Sequence, residues 1–356
     1  MTQPVTVDET AADRSHGAGS QRGAWRRRLM RDELGVSLVL VLIVVAAGIA
    51  HPDFVRKDNL LSIAQSSSYV GLMAVGMVFA LAMREVDLSV GGTYTLCLVV
   101  GAVLIRDGTD PWLSLLVTLP LAALLGAFNG LVTTVLKLPS FIVTLATAML
   151  YRGMALALAD GRQIGNLPAG NSFFTVLGGS VLSVPTSVWV LLVALIALTV
   201  VLTRTRFGAQ VRAIGSNPDA ARFSGLPITR TRIKALALTG LMSGVAGALA
   251  LAFFIAGDPT VGQGYELTAI AACIIGGTSL AGGRGSVPGA VFGSLILSVV
   301  AAALVFFQVP INWTTFATGA VILLAVALDS ALRRSRGAGL RQGAAAVASR
   351  LFRRPT

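Results

Sequence analysis

Ten apolar runs, each close to the length that crosses a bilayer, dominate this chain. They cover Leu34 to Ala50, Leu60 to Met83, Gly91 to Ile105, Trp112 to Leu136, Ser140 to Ala159, Ser187 to Leu202, Ala235 to Ala256, Leu267 to Ala281, Pro288 to Phe307 and Ile311 to Leu332. A crossing takes about 20 mostly apolar residues in a helix, because the hydrocarbon region holds no water to satisfy an open backbone. The third, sixth and eighth runs are short and are expected to be tilted, extended into their flanks or broken. Gly91, Gly92, Gly276 and Gly277 mark where unwinding is easiest. With 54% apolar and 12% charged residues, the 356-residue chain has too little polar surface to cover a soluble globule. The sequence therefore predicts an all-α polytopic membrane protein. Its transmembrane domain spans residues 34–332, between basic tails over 1–33 and 333–356. The first tail reads as disordered, and no apolar core follows it closely enough for a cleavable signal peptide.

Charge gives this bundle an orientation. Residues Thr203 to Lys234, TRTRFGAQVRAIGSNPDAARFSGLPITRTRIK, form a polar island between two spans. It carries Arg204, Arg206, Arg212, Arg222, Arg230, Arg232 and Lys234 against the single acid Asp219. Positive loops resist translocation, so the island is expected to be cytoplasmic. With ten spans and the first tail inside, 23 of the 28 basic residues fall in inside segments. Only Arg56, Lys57, Arg106 and Arg162 fall outside, and Arg152 lies within a span. That split predicts both termini in the cytoplasm. A net charge of +12 distributed this way is orientation signal and lipid headgroup contact, not a nucleic-acid groove.

The island also predicts local structure. Ser216 or Asn217 suits a helix N-cap, Pro218 the first helical position, and Asp219 the positive end of the dipole. Gly225 and Pro227 stop the helix. The expected short helix, Pro218 to Ser224, is too polar to be a span and forms a handle for a soluble partner. On the other side, the long loop Asp160 to Thr186 is large enough to meet an extracytoplasmic partner.

Several chemistries are excluded. The three lysines follow Arg56, Leu136 and Ile233, so none completes a phosphate-binding G-x-x-x-x-G-K-[ST] loop. No ATP hydrolysis is expected in this chain. His16 and His51, in the tail and at a span end, leave nothing for a triad or a multi-His metal site, and no cofactor or metal is expected. Gly283-Arg284-Gly285 lacks the preceding strand that a phosphate cradle requires. Cys97 and Cys273 read as small hydrophobes inside spans.

Charges near the spans are the usual pointers to function. Glu85 and Asp87 are expected in an interfacial turn, with Asp87 capping the next span. Glu266 opens the eighth span, where it can serve the helix dipole. Arg152 lies about 22 Å from Lys137 if the segment is helical, within snorkelling reach of the outer interface, and reads as an anchor or a functional group. Gln65, Ser66, Ser67, Ser68 and Asn129 either line a hydrophilic path or bond between helices. The pairs Gly126/Gly130, Gly240/Gly244 and Gly289/Gly293 allow close helix packing.

Four segments carry a family resemblance: REVDLSVGG at 84–92, FIVTLATAMLYRG at 141–153, AIGSNPDAARFSGL at 213–226 and GYELTAIAACIIGGTSLAGGRGSVPGAVFG at 264–293. In this order, across roughly residues 35–331, they resemble the permease subunits of bacterial ribose-type and related monosaccharide ABC importers. The resemblance implies a type II ABC importer-like bundle in the bacterial plasma membrane. It also implies a dimer with a second permease subunit, usually a copy of itself. A separate cytoplasmic ATPase would use the ATP and Mg, and an extracytoplasmic binding protein would deliver the sugar. The helix that docks in the ATPase maps to Asn217, Pro218, Asp219, Ala220, Ala221, Arg222, Ser224 and Gly225. Gln65, Ser66, Asp87, Asn129, Arg152 and Glu266 are candidates for path or gate. Where the family often has Gly-Ile-Asp, this chain has Glu85-Val86-Asp87. An ion-driven carrier, which needs a central acid, and a membrane-embedded enzyme are the competing readings. The identity of the solute stays open between pentoses, hexoses, inositol and a sugar-like signal.

Overall fold

The computed structural model describes residues 35–310 and single positions between 313 and 323. Both basic tails, and nearly all of the tenth expected span, lie outside the described residues. Nine helices occupy the positions of the first nine runs: α1 (Gly35–Ala50), α2 (Lys57–Ala82), α3 (Val90–Arg106), α4 (Pro111–Val135), α5 (Ser140–Leu158), α7 (Thr186–Arg204), α10 (Ile228–Phe254), α11 (Tyr265–Ile275) and α12 (Val287–Phe306). Of these, α2, α4, α5, α7, α10 and α12 are long and apolar enough to cross a membrane. The long loop between α5 and α7 holds a short helix, α6 (Ser172–Leu177), and a two-strand hairpin, β1 (Ser180–Val181) with β2 (Val184–Pro185). The polar island contributes α8 (Arg206–Ser216) and α9 (Pro218–Phe223).

Helix α2 is the axis of the bundle. Every residue from 67 to 83 is buried, packed by α7, α10, α11 and α12. Helices α4, α5 and α7 lie outside and turn leucines and valines outward, with Leu116 68% and Val193 66% exposed. An apolar periphery around a buried core is what lipid as solvent requires. The expected glycine pairs sit at the closest helix contacts. A Cβ at Gly126 would strike the Leu236 carbonyl of α10, and one at Gly130 would come within 2.7 Å of the Ile233 Cα. Gly240 faces the Ala122 carbonyl of α4 in the same way, while Gly289 and Gly293 of α12 face Gly276 and Ala272 at the end of α11. Without a strong hydrophobic drive between helices in lipid, such close backbone approach supplies the packing energy.

The short runs resolve differently. Helix α7 reaches full length at 19 residues. Helix α11 has 11 residues, about 16 Å and half a bilayer. It stops where Gly276 caps it and Gly277 turns back at φ +86°. The expectation that Gly91 and Gly92 unwind the third span is wrong. Both are buried inside α3 because other atoms need the space: a Cβ at Gly92 would sit 2.8 Å from the Ala148 carbonyl of α5.

The turn at Glu85 and Asp87 is buried in the protein rather than laid over the end of the bundle. After α2, Arg84 adopts φ +66° and the chain dips into the bundle along the start of α5. Val86 N–H donates to Ser140 Oγ at 3.0 Å and Leu88 N–H to Thr144 Oγ1 at 3.0 Å. A buried non-helical segment needs partners for its backbone, and here side-chain hydroxyls supply them. Helix α3 then starts inside the bundle, which explains its 17 residues.

Candidate functional site

Helix α9 is built by local rules. Asn217 Oδ1 accepts from Ala220 N–H at 3.0 Å, and Pro218 opens the helix. At the far end Gly225 takes φ +71°, its N–H donates to Arg222 O at 3.0 Å, and Leu226 N–H donates to Ala221 O at 3.0 Å. This paired closure, with glycine in the left-handed position, is a Schellman cap. Ser224 is the C-cap, one residue beyond the helix. Ala221 is buried inward, whereas Phe223 is 91% exposed. The sequence reading passed over Phe223, whose ring stands out from the island while Phe207 of the same island packs on Phe79.

Behind α9, a seam ties the island to α2. Arg84 Nε donates to Gly215 O at 2.7 Å and its Nη2 to Ser216 O at 3.0 Å, so one guanidinium satisfies the last carbonyls of α8. Gly215 rests on the Ala82 carbonyl, where a Cβ has no room. That carbonyl also accepts from Gly283 N–H at 2.8 Å. Next to Arg84, Glu85 Oε1 accepts from Arg232 Nε of α10 at 2.6 Å. Residues 82–85 are thus held at once by α8, α10 and the turn after α11. Partial burial lowers the Arg212 guanidinium of α8 below the usual arginine value. Charge-assisted bonds in a part-buried seam have few alternative geometries.

Beneath this seam lies a chain of buried polar groups. Asp87 Oδ1 accepts from Ser89 N–H at 2.9 Å and Ser89 Oγ at 2.6 Å, and Asp87 Oδ2 accepts from Thr239 Oγ1 of α10 at 2.6 Å. Asn129 of α4 donates through Nδ2 to Ser89 Oγ at 2.7 Å and accepts from the Tyr151 hydroxyl of α5 at 3.2 Å. Asp87, Asn129 and Thr239 are fully buried. Asp87 does not cap α3, whose N-cap is Ser89. Its carboxylate accepts from three donors, joining the N-cap of α3 to α10 directly and reaching α4 and α5 through Ser89 and Asn129.

Beside this network, at the first turn of α3, Arg152 and Glu266, read separately in the sequence, form one ion pair. Arg152 Nη2 donates to Glu266 Oε2 at 2.7 Å and to Gly262 O at 3.2 Å. The pair joins α5 to α11 across the first turn of α3. A Cβ at Gly91 would lie 3.0 Å from Arg152 Nη2 and 2.7 Å from Gly262 O. The pair therefore explains that glycine. Arg152 is thus paired, with Glu266 and the Gly262 carbonyl as its partners.

Gln65 and Ser66 part company. Gln65 Nε2 donates to the Tyr69 hydroxyl at 3.2 Å. Ser66 instead lines an open groove of about 460 Å³ between α2, α11 and α12. Asn59 and Ser62 continue its polar stripe along α2, faced by Tyr265, Thr268 and Ser298. Ser62 and Ser66 are exposed there. Ser67 and Ser68, on the buried side, return their hydroxyls to the Ala64 carbonyl. Adjacent positions on one turn of helix thus divide groove serines from structural serines. Asn129, Asp87, Arg152 and Glu266 do not line this groove.

The chain resembles known transport proteins over most of its length. It is 37% identical to the ribose import permease protein of Bacillus subtilis (strain 168), with 84% of this chain and 92% of that protein covered. Against the xylose transport system permease protein of Escherichia coli (strain K12), identity is 34%, over 84% of this chain and 91% of the relative. For the L-arabinose transport system permease protein of the same strain the values are 32%, 88% and 95%. The family model described as "Branched-chain amino acid transport system / permease component" matches residues 59–326, a stretch that holds the seam, the buried network, the ion pair and the groove. The chain therefore belongs to this family of membrane permease components.

Proposed function

We propose that the protein is the permease subunit of an ABC importer for a monosaccharide or sugar-like solute, embedded in the bacterial inner membrane by ten spans with both termini cytoplasmic. The relatives' names, which cite ribose, xylose and arabinose, support the solute class. The observation that carries the mechanism is the seam: the basic loop that carries the capped helix is tied to the end of α2, where Arg84 holds the last carbonyls of α8 and Glu85 holds Arg232 of α10, and the other end of α2 lines the polar groove. A cytoplasmic ATPase grips α9 through Asn217 to Gly225 and the exposed Phe223. It hydrolyses ATP with Mg, for which this chain supplies no residue. ATPase closure moves α8 and α9 together, and the seam passes that movement to α2 and α10. Sugar released by an extracytoplasmic binding protein enters the groove, which a second permease subunit, a copy of this one, completes. Hydroxyl and amide groups from Asn59, Ser62, Ser66 and Ser298 make weak exchangeable bonds with sugar hydroxyls. Weak contacts suit a path, because tight binding there slows release.

The test is to purify the tagged protein in mild detergent and identify what accompanies it at comparable amounts. An ATPase with a phosphate-binding loop, lost when residues 217–225 are replaced, is the expected result. Uptake that survives ATP depletion and collapses with an uncoupler would replace this reading with an ion-driven carrier.

A further inference from the structure

A second cleft, of about 910 Å³, opens on the face that carries α8 and α9. The end of α4, the turn at 136–139, α9 and the first turn of α10 form its walls. Lys137, Arg222, Arg230 and Arg232 line it, with no acidic residue among the lining groups. Arg232 is already neutralised by Glu85 at 2.6 Å. Lys137, Arg222 and Arg230 are exposed and take part in no ion pair among the described residues. On the wall, Thr133 is 2% exposed, and its hydroxyl has no hydrogen-bond partner among the described residues. Three uncompensated cations and an unsatisfied hydroxyl around one cleft describe a receptor for a phosphate group.

The surroundings decide which phosphate. Beside the cleft the helix ends turn apolar side chains outward, with Val135 65%, Leu136 58%, Leu138 41% and Phe141 51% exposed. A soluble anion uses the cations and leaves that rim bare. An amphiphile uses both. We propose that this cleft binds the headgroup of an anionic phospholipid, its phosphate among Lys137, Arg222 and Arg230 and its acyl chains along Val135, Leu136, Leu138 and Phe141. Basic pockets between spans recognise lipid headgroups in this way. Placement in the cytoplasmic leaflet rests on the topology proposed above, whereas the binding itself does not. Because Arg222 belongs to α9, the lipid bridges the docking helix to the bilayer.

The experiment uses the full-length protein, delipidated in neutral detergent and titrated with dioleoyl-phosphatidylglycerol or dioleoyl-phosphatidylcholine under native mass spectrometry. The native protein retains the anionic lipid in preference to the zwitterionic one. Lys137→Gln with Arg230→Gln weakens that retention roughly 10- to 30-fold, from about three- to fivefold per cation removed. Thr133→Val weakens it less, and Arg162→Gln, a cation on the α5–α7 loop, leaves it unchanged. Equal retention of both lipids by the native protein overturns the proposal without any variant. So does displacement of the anionic lipid by excess inorganic phosphate, which marks a site for the free ion. If the double variant keeps the lipid but loses an accompanying ATPase, the cleft is a protein-docking surface and the proposal falls.

Discussion

Asp87 and Phe223 break the usual rules of burial in opposite directions, and each breach marks a job. A fully buried carboxylate is tolerated when its acceptor sites are filled, and Asp87 takes two bonds from Ser89 and one from Thr239. Asp87→Ala removes the hub and leaves the Ser89 N–H without an acceptor, at a cost of about 2–3 kcal/mol. A lowered apparent melting temperature of the purified protein checks this. Asp87→Asn keeps the shape and the Oδ1 acceptor, and Thr239 can turn its proton to the Leu236 carbonyl at 2.7 Å. That variant is expected to melt within a few degrees of the native protein. Equal damage from both would mean that charge, rather than bonding, holds the site. Phe223 is the reverse case, an aromatic ring at 91% exposure on a six-residue helix. Phe223→Ser is expected to leave folding and insertion unchanged while weakening ATPase co-purification at least tenfold, the size of a modest aromatic anchor. The identity of both residues was visible in the sequence. The depth of Asp87 was not, because it depends on a segment that re-enters the bundle on hydroxyls supplied by Ser140 and Thr144, more than 50 positions away.

Helix α9 was legible because its signals are local: Asn217, Pro218 and Gly225 act within one turn of their own backbone. The same locality gives a sharp test. Removing the Asn217 cap costs about 1 kcal/mol, and Gly225→Ala at φ +71° costs about 1 kcal/mol more. A six-residue helix has little stability of its own. The double variant is therefore expected to insert normally and to lose its ATPase, read by co-purification against membrane abundance. Arg84→Ala probes the next link. It leaves α9 and Phe223 intact but frees the carbonyls of Gly215 and Ser216. The ATPase should still bind and hydrolyse ATP while uptake falls; loss of ATPase binding instead would assign Arg84 to docking. Sequence offered no route to this clamp, since Arg84 and Gly215 are separated by 131 positions. The glycines show the same divide. Gly276 and Gly277 end α11 by backbone geometry that the sequence announced. Gly91 and Gly92 stay helical because Glu266, Arg152 and Ala148 occupy the space beside them, a matter of tertiary packing.

At the scale of the whole bundle, one open groove presents a row of hydroxyl and amide groups. Apolar runs and basic loops made the helices and their order readable, but which serine of a row faces water depends on how α2 is rotated between α7 and α12. Ser66 opens to the groove while Ser67 and Ser68 are buried against their own helix. A groove of this kind on one subunit is half of a path, and water has to reach it for sugar to pass. The native cysteines, Cys97 and Cys273, are both buried, so a cysteine introduced at the surface reports on its own surroundings. Ser66 lies about 14 Å along α2 from Lys57, too deep for a charged reagent to reach through lipid. Ser66→Cys is expected to react with a membrane-impermeant charged maleimide in intact membranes. Leu124→Cys, on the apolar outer face at 65% exposure, is expected to react only with an uncharged one. The contrast follows from desolvation, because a charged reagent and the thiolate it attacks both need water. If Ser66→Cys is as inert to the charged reagent as Leu124→Cys, α2 faces lipid there and the path must be sought elsewhere in the bundle.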